Sequence, residues 1–341
     1  MINLLLGLVL IVAAILPTTA IGQTIDEMKA DLKAKVSEIE SLKVKMQAAS
    51  DDGDHDLYEE LSVKREALIK VAEDLNISIK GEDQRGIFAQ KAYNDGNLKL
   101  KTGDYAGSIS EYKKSLELEP QNAPAYYNMG VAYSKLKKLT EAKSAFEMAV
   151  QQNPEYAKAY VSLGNISKRL KDVAGAMKYY QSAITIEPNN PKAHYGTGSI
   201  HFKKKKYSDA ITSLKAATVA KNDFTDAWII LGRSFSELNQ NGEAVKALRK
   251  AAKIKPKSWK AHHHLAVTLN KMEKYSEAIK SADNCLKYKK NYAAANYEKG
   301  FAAMSLGQKT AAKAAFEKAK SDRAWRDISD HYIKKIDGKI Q

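Results

Sequence analysis

The chain has 341 residues, 44% of them apolar, and 55 Lys/Arg against 40 Asp/Glu, a formal charge of +15. That apolar content, with only 7 Pro and 18 Gly, excludes a disordered or collagen-like chain. The single cysteine, Cys285, excludes an intrachain disulfide, and the positive balance favours acidic partners.

Residues 4–16 are an apolar run broken only by Gly7, and small residues follow in TTAIGQ. This is the pattern of a secretory signal peptide over residues 1–22, with cleavage after Ala20 or Gly22. The run is shorter than the roughly 18–20 residues of a spanning helix. The chain is therefore expected to be exported, periplasmic or secreted. An uncleaved anchor is the competing reading.

Residues 24–80 carry heptads. Ile25, Met28, Leu32, Ile39, Leu42 and Met46 form one series, interrupted by Lys35. Leu57, Leu61, Leu68, Val71 and Leu75 form a second, interrupted by Lys64. Between them SDDGDHD breaks the helix. Two arms of about three heptads are marginal as isolated helices, so they fold back as a hairpin or zip with another chain. The aspartates of the loop read as a solvated, helix-capping turn. An EF-hand would need Gly at the sixth place from Asp52, where Leu57 stands.

From Ala89 the chain divides without gaps into seven windows of 34 residues, ending at Arg326. Place 8 reads Gly96, Gly130, Gly164, Gly198, Gly232, Ala266, Gly300. Place 20 is Ser108 and then Ala142, Ala176, Ala210, Ala244, Ala278 and Ala312. Place 27 is Ser115, four alanines, Cys285 and Ala319. Small residues at these places let two antiparallel helices approach. Bulkier ones at place 24 (Tyr112, Phe146, Tyr180, Leu214, Leu248, Phe316) fill the space beside them. Pro120, Pro154, Pro188 and Pro256 close hairpins, because proline cannot continue a helix. Each hairpin needs its neighbours to cover its apolar face. After Arg326, the spacing of Ile328, Tyr332 and Ile336 predicts a capping helix over 327–338.

These columns resemble the tetratricopeptide repeat (TPR). Its pattern is clear in WIILGRSFSELNQNGEAVKALRKAAKIKP, from Trp228 to Pro256, and in YYNMGVAYSKLKKLTEAKSAFEMAVQQNP. The resemblance implies an all-α fold, a right-handed TPR superhelix (α-solenoid) preceded by the heptad-rich hairpin. The layout is similar to bacterial periplasmic coiled-coil–TPR proteins.

The resemblance further implies an inner, concave surface built by the first helix of each hairpin at places 2, 5, 9, 12 and 13. Those places hold Tyr93, Tyr127, Tyr195, Phe202 and Tyr297; Lys101, Lys135, Lys158, Lys168, Arg169, Lys192, Lys203, Arg233 and Lys260; and Asn97 and Asn165. Rings among cations suit an extended acidic peptide. Residues 23–88 carry 10 Lys/Arg against 16 Asp/Glu, whereas the seven windows carry 42 against 21. Self-association through residues 24–80 is a second expectation.

The carboxylate-clamp set of some TPR proteins is incomplete here: Asn97, Asn128 and Lys158 match, but Tyr93 and Ser162 replace two cations. In HHH at 262–264 successive side chains point in different directions, so no metal is expected. Cys285 fills a packing place. No segment is left to form a catalytic domain and no cofactor motif appears, so a non-catalytic scaffold is expected. Nucleic acid fits the charge but not export. The alternatives are adhesion to an anionic envelope polymer or membrane surface, and an accessory subunit of an enzyme assembly.

Overall fold

The computed structural model describes residues 24–339. The expected signal peptide, residues 1–22, lies outside them. Regular structure among the described residues is entirely helical. Packing divides the chain into two units, Met1–Asn128 and Met129–Gln341.

In the first unit, α1 (Ile25–Asp51) starts on a capping box in which Thr24 and Glu27 exchange hydrogen bonds. The loop that follows turns at Gly53, with φ 73°. Asp54 then accepts from the Leu57 amide and caps α2 (His55–Thr102). α1 folds back on α2, so the heptad arms make an intrachain hairpin that buries Leu42, Met46, Leu68 and Ala72. The interrupting Lys64 reaches Glu38 across the pair at 3.3 Å. Leu57 departs from the expected stripe: it is 42% exposed, in the first turn of α2 beside the chain reversal.

α2 does not end near residue 80. With no proline to stop it, the helix runs through Gly81 and Gly86 and becomes the first helix of the first repeat. There it packs on α3 (Tyr105–Leu118). The expected gap between hairpin and repeats is a helix interior.

α4 (Ala123–Lys135) opens the second repeat. In the second unit it is followed by α5 (Leu139–Gln152), α6 (Ala157–Arg169), α7 (Val173–Ile186), α8 (Pro191–Lys203) and α9 (Tyr207–Ala220). Then come α10 (Thr225–Glu237), α11 (Asn241–Ile254), α12 (Trp259–Lys271), α13 (Tyr275–Tyr288), α14 (Ala293–Ser305), α15 (Lys309–Ala319) and α16 (Arg323–Ile336). From α6 to α14, first helices have 13 residues and second helices 14.

Every turn inside a hairpin of this unit is built the same way. Lys137, Lys171, Lys205, Asn239, Glu273 and Gly307 have φ between 57° and 73°. The next amide bonds back five residues, as Asp172 N to the Ser167 carbonyl at 2.9 Å. This is the Schellman ending, which satisfies the orphan carbonyls of the first helix.

Inside each hairpin the small place 8 meets the bulky place 24. A Cβ on Gly164 would stand 2.5 Å from the Tyr180 ring, and one on Gly232 would stand 2.6 Å from Leu248 Cγ. The sixth repeat has Ala266 and Ala282 at these places, both fully buried, so a smaller second-helix residue leaves room for a Cβ on the first.

The C-terminal helix begins earlier than expected, at Arg323, because Asp322 caps it by accepting from the Ala324 amide. Ile328 is exposed, contrary to expectation. The buried stripe runs instead through Ser329 and Ile333, flanked by Tyr332 and Ile336.

Candidate partner-binding groove

In the second unit each first helix touches the first helix of the next repeat: α6 meets α8, α8 meets α10, α10 meets α12 and α12 meets α14. No contact of that extent joins successive second helices among the described residues. The more closely spaced row of a bent stack lies on its inner side, so the first helices line the concave face of this unit.

The expected groove residues on these helices are of two kinds. Lys135, Lys158, Asn165, Arg169, Lys192, Lys203 and Lys260 are exposed; Lys168, Tyr195, Phe202 and Arg233 are half-buried. Lys168 is pressed below the usual lysine range by burial and by Lys203 one repeat on. The Arg233 guanidinium lies 4.4 Å from the Phe202 ring centroid. Burial lowers its pKa, and Glu237 opposes that shift. Tyr195 packs on Phe224 at 4.8 Å, and Arg169 donates to Ser134 Oγ at 3.0 Å. Lys168, Lys203, Arg233 and Lys260 form no ion pair among the described residues, although carboxylates elsewhere in this unit hold Arg249, Lys299 and Lys313. The first helices in the middle of this unit therefore carry cations without carboxylate partners, together with aromatic rings.

Other expected groove residues have local work. Tyr180 Oη donates to Asn165 Oδ1 at 2.7 Å, so Asn165 satisfies a hydroxyl whose ring is buried in the hairpin. In the first unit Tyr112 Oη donates to Asn97 Oδ1 at 2.8 Å in the same way. Asn128 Nδ2 also donates to Asn97, at 2.8 Å, and to Tyr93 Oη at 3.2 Å, so the partial clamp set is tied to itself. Tyr127 is buried and Lys101 is exposed. Tyr297 is enclosed by Trp325 at 4.7 Å, Phe316 and Tyr332, so its ring belongs to the C-terminal cap rather than to an open groove.

HHH is split by helical geometry. His262 Nε2 bonds the Pro256 carbonyl at 2.8 Å, a brace repeated by His194 on Pro188 and by Trp228 on Asn222. His263 and His264 point elsewhere, and no metal-binding group of three side chains occurs among the described residues. Cys285 is fully buried, which pushes its thiol up to about 11.

One cluster escaped the places read from the repeat. Trp259 and Tyr292, the first and last residues of the sixth window, lie 5.0 Å apart, with Lys289 Nζ 3.8 and 3.9 Å from their ring centroids. Their aromatic character at the two window ends was the available signal.

Family models described as TPR or tetratricopeptide repeats match residues 96–137, 123–156, 169–233, 225–258 and 293–321, together more than half of the chain. No curated protein matches it. Among solved structures the chain is similar to YrrB, whose structure is described as a TPR protein with an unusual peptide-binding site. Identity is 21% over 56% of this chain and 99% of that one, with a TM-score of 0.51. It is similar to Pseudomonas aeruginosa PilF (16% identity, 62% and 97% covered, TM-score 0.55). It is also similar to the C-terminal part of a TPR protein from Cytophaga hutchinsonii (18%, 69% and 98%, TM-score 0.55). At these identities the likeness speaks for the fold. The chain belongs to the tetratricopeptide-repeat family, an all-α superhelical scaffold for protein–protein interaction.

Proposed function

We propose that the protein is an exported, non-catalytic scaffold that holds an extended acidic segment of another protein along the concave face of its second unit. The observation that carries this reading is the set of unpaired cations, Lys168, Lys203, Arg233 and Lys260, beside Tyr195 and Phe202. Neighbouring like charges repel, and a carboxylate-bearing guest relieves that repulsion while the rings supply contact area. The charge of windows three to seven, +20 against +1 for the first two, points to the same unit. The apolar run of residues 4–16 supports export.

The test uses the full chain and a fluorescein-labelled oligo-glutamate peptide followed by anisotropy. Binding is expected, weakening as salt screens the charges. Alanine at Lys168, Arg169, Lys203 and Tyr195 together is expected to abolish it. Unchanged binding by that variant overturns the groove reading. Retained binding to an anionic polysaccharide by the same variant favours adhesion through lysines outside the groove, such as Lys204, Lys205 and Lys206.

A further inference from the structure

We infer that the sixth repeat contains a built carboxylate subsite, formed by Trp259, Lys260, His263, Lys289 and Tyr292, that anchors one acidic side chain of the guest. This rests on the groove reading and gives the groove a fixed point.

Two observations converge on it. Lys289 Nζ is held between two rings, 3.8 Å from the centroid of Trp259 and 3.9 Å from that of Tyr292. It has no ion-pair partner among the described residues, so the rings position a cation whose charge is unanswered. His263 is only 9% exposed and meets the Tyr292 ring edge-on at 5.1 Å, yet its Nδ1 has no hydrogen-bond partner. A buried ring nitrogen left unsatisfied costs free energy that a ligand hydrogen bond recovers.

The chemistry selects a carboxylate. Arg233 acts electrostatically on both His263 and Tyr292, so three cations (Arg233, Lys260 and Lys289) bear on this corner of the fold. Trp259 opens α12 and Tyr292 immediately precedes α14. The subsite thus lies within the sixth window, where the loop leading to α14 returns against the start of α12.

The experiment measures oligo-glutamate binding to the full chain and to Lys289→Met, Lys289→Arg and, as a control away from the face, Lys309→Met. Lys289→Met is expected to weaken binding by about tenfold or more, as for loss of one charge-assisted contact. Lys289→Arg, which keeps charge and ring stacking, restores it, and Lys309→Met binds as the parent chain does. In parallel, N-acetylglutamate is titrated into isotope-labelled protein, where the Trp259 indole N–H and the His263 ring resonances are expected to move together.

Wild-type affinity in Lys289→Met, with binding still abolished by the Lys168/Arg169/Lys203/Tyr195 variant, overturns the subsite and leaves the groove standing. Failure of the peptide to bind the parent chain, with N-acetylglutamate still moving both resonances, overturns the groove and leaves the subsite. Silence in both measurements overturns both.

Discussion

The Tyr180 hydroxyl donates to Asn165 Oδ1 at 2.7 Å, and the same bond joins Tyr112 to Asn97 at 2.8 Å. In both repeats the tyrosine is at place 24 and the asparagine at place 9. Where place 24 is Phe146, Leu214, Leu248 or Phe316, place 9 is Val131, Ser199, Arg233 or Phe301. Asparagine therefore accompanies the one aromatic that brings a hydroxyl into the hairpin. A double-mutant cycle of Tyr180→Phe and Asn165→Val is expected to show a coupling of about 1 kcal/mol. The two single losses sum to more than the loss in the double variant. Strictly additive melting data would show that the bond contributes nothing.

The contact of Gly232 with Leu248 makes a second prediction. Gly232→Ala forces a Cβ to within 2.6 Å of Leu248 Cγ and is expected to cost about 1–3 kcal/mol by overpacking. Adding Leu248→Ala reproduces the Ala266–Ala282 arrangement of the sixth repeat. The combined variant is expected to be more stable than the sum of the two single losses implies. Denaturant midpoints of the four proteins check this.

Lys171 and Lys205 sit at φ 65° and 58°, a left-handed conformation that disfavours any side chain with a Cβ. Gly307 and Gly103 occupy the equivalent place without that penalty. Glycine gives back part of the gain through the entropy of the unfolded chain. Lys171→Gly and Lys205→Gly are each expected to stabilise by about 0.5–1 kcal/mol, and Gly103→Lys to destabilise by a similar amount. Melting temperatures that move the other way would show that the lysine side chains themselves brace the turn.

Acid is expected to loosen the sixth repeat. Burial, with Arg233 and Lys289 nearby, pushes His263 down to about 4. Burial, with His263, Arg233 and Lys260 nearby, pushes His264 down to about 2. Both pKa values lie below the ordinary 6.5, so the unfolded chain takes up these protons first as pH falls. Their contribution is complete above about pH 6.5 and is lost as pH falls, down to about 4 for His263 and about 2 for His264. Glu298 acts with the opposite sign. Burial raises its pKa, against the hydrogen bond from Asn270, so it costs stability as pH rises from 4.5 through its folded value. His263→Asn with His264→Leu is expected to flatten the pH dependence of melting between 6.5 and 4, and Glu298→Gln to steepen it. Equal slopes in all three proteins would remove the histidines as the cause.

Much of this fold was legible in the chain itself. A spacing of 34 residues places every first helix from Ala123 to Ala293, because small residues at places 8, 20 and 27 are the only ones that allow helices to close on each other. Composition likewise assigned the positive charge to windows three to seven. What tertiary structure alone decided is which polar residues are committed to the protein and which face a guest. Asn97, Asn165 and Tyr297 occupy groove places by count, yet a buried tyrosine hydroxyl or the C-terminal cap claims each of them. Lys289 and Tyr292 lie outside the counted places, yet the folding of the sixth window brings its last residues back against Trp259. Residue 80 looks like a boundary, but nothing at Gly81 or Gly86 breaks the hydrogen-bonded ladder, so one helix serves both the hairpin and the first repeat. Spacing along a chain sets which faces turn inward. The partners met there depend on how helices and connecting loops close on one another in three dimensions, and spacing alone does not encode that.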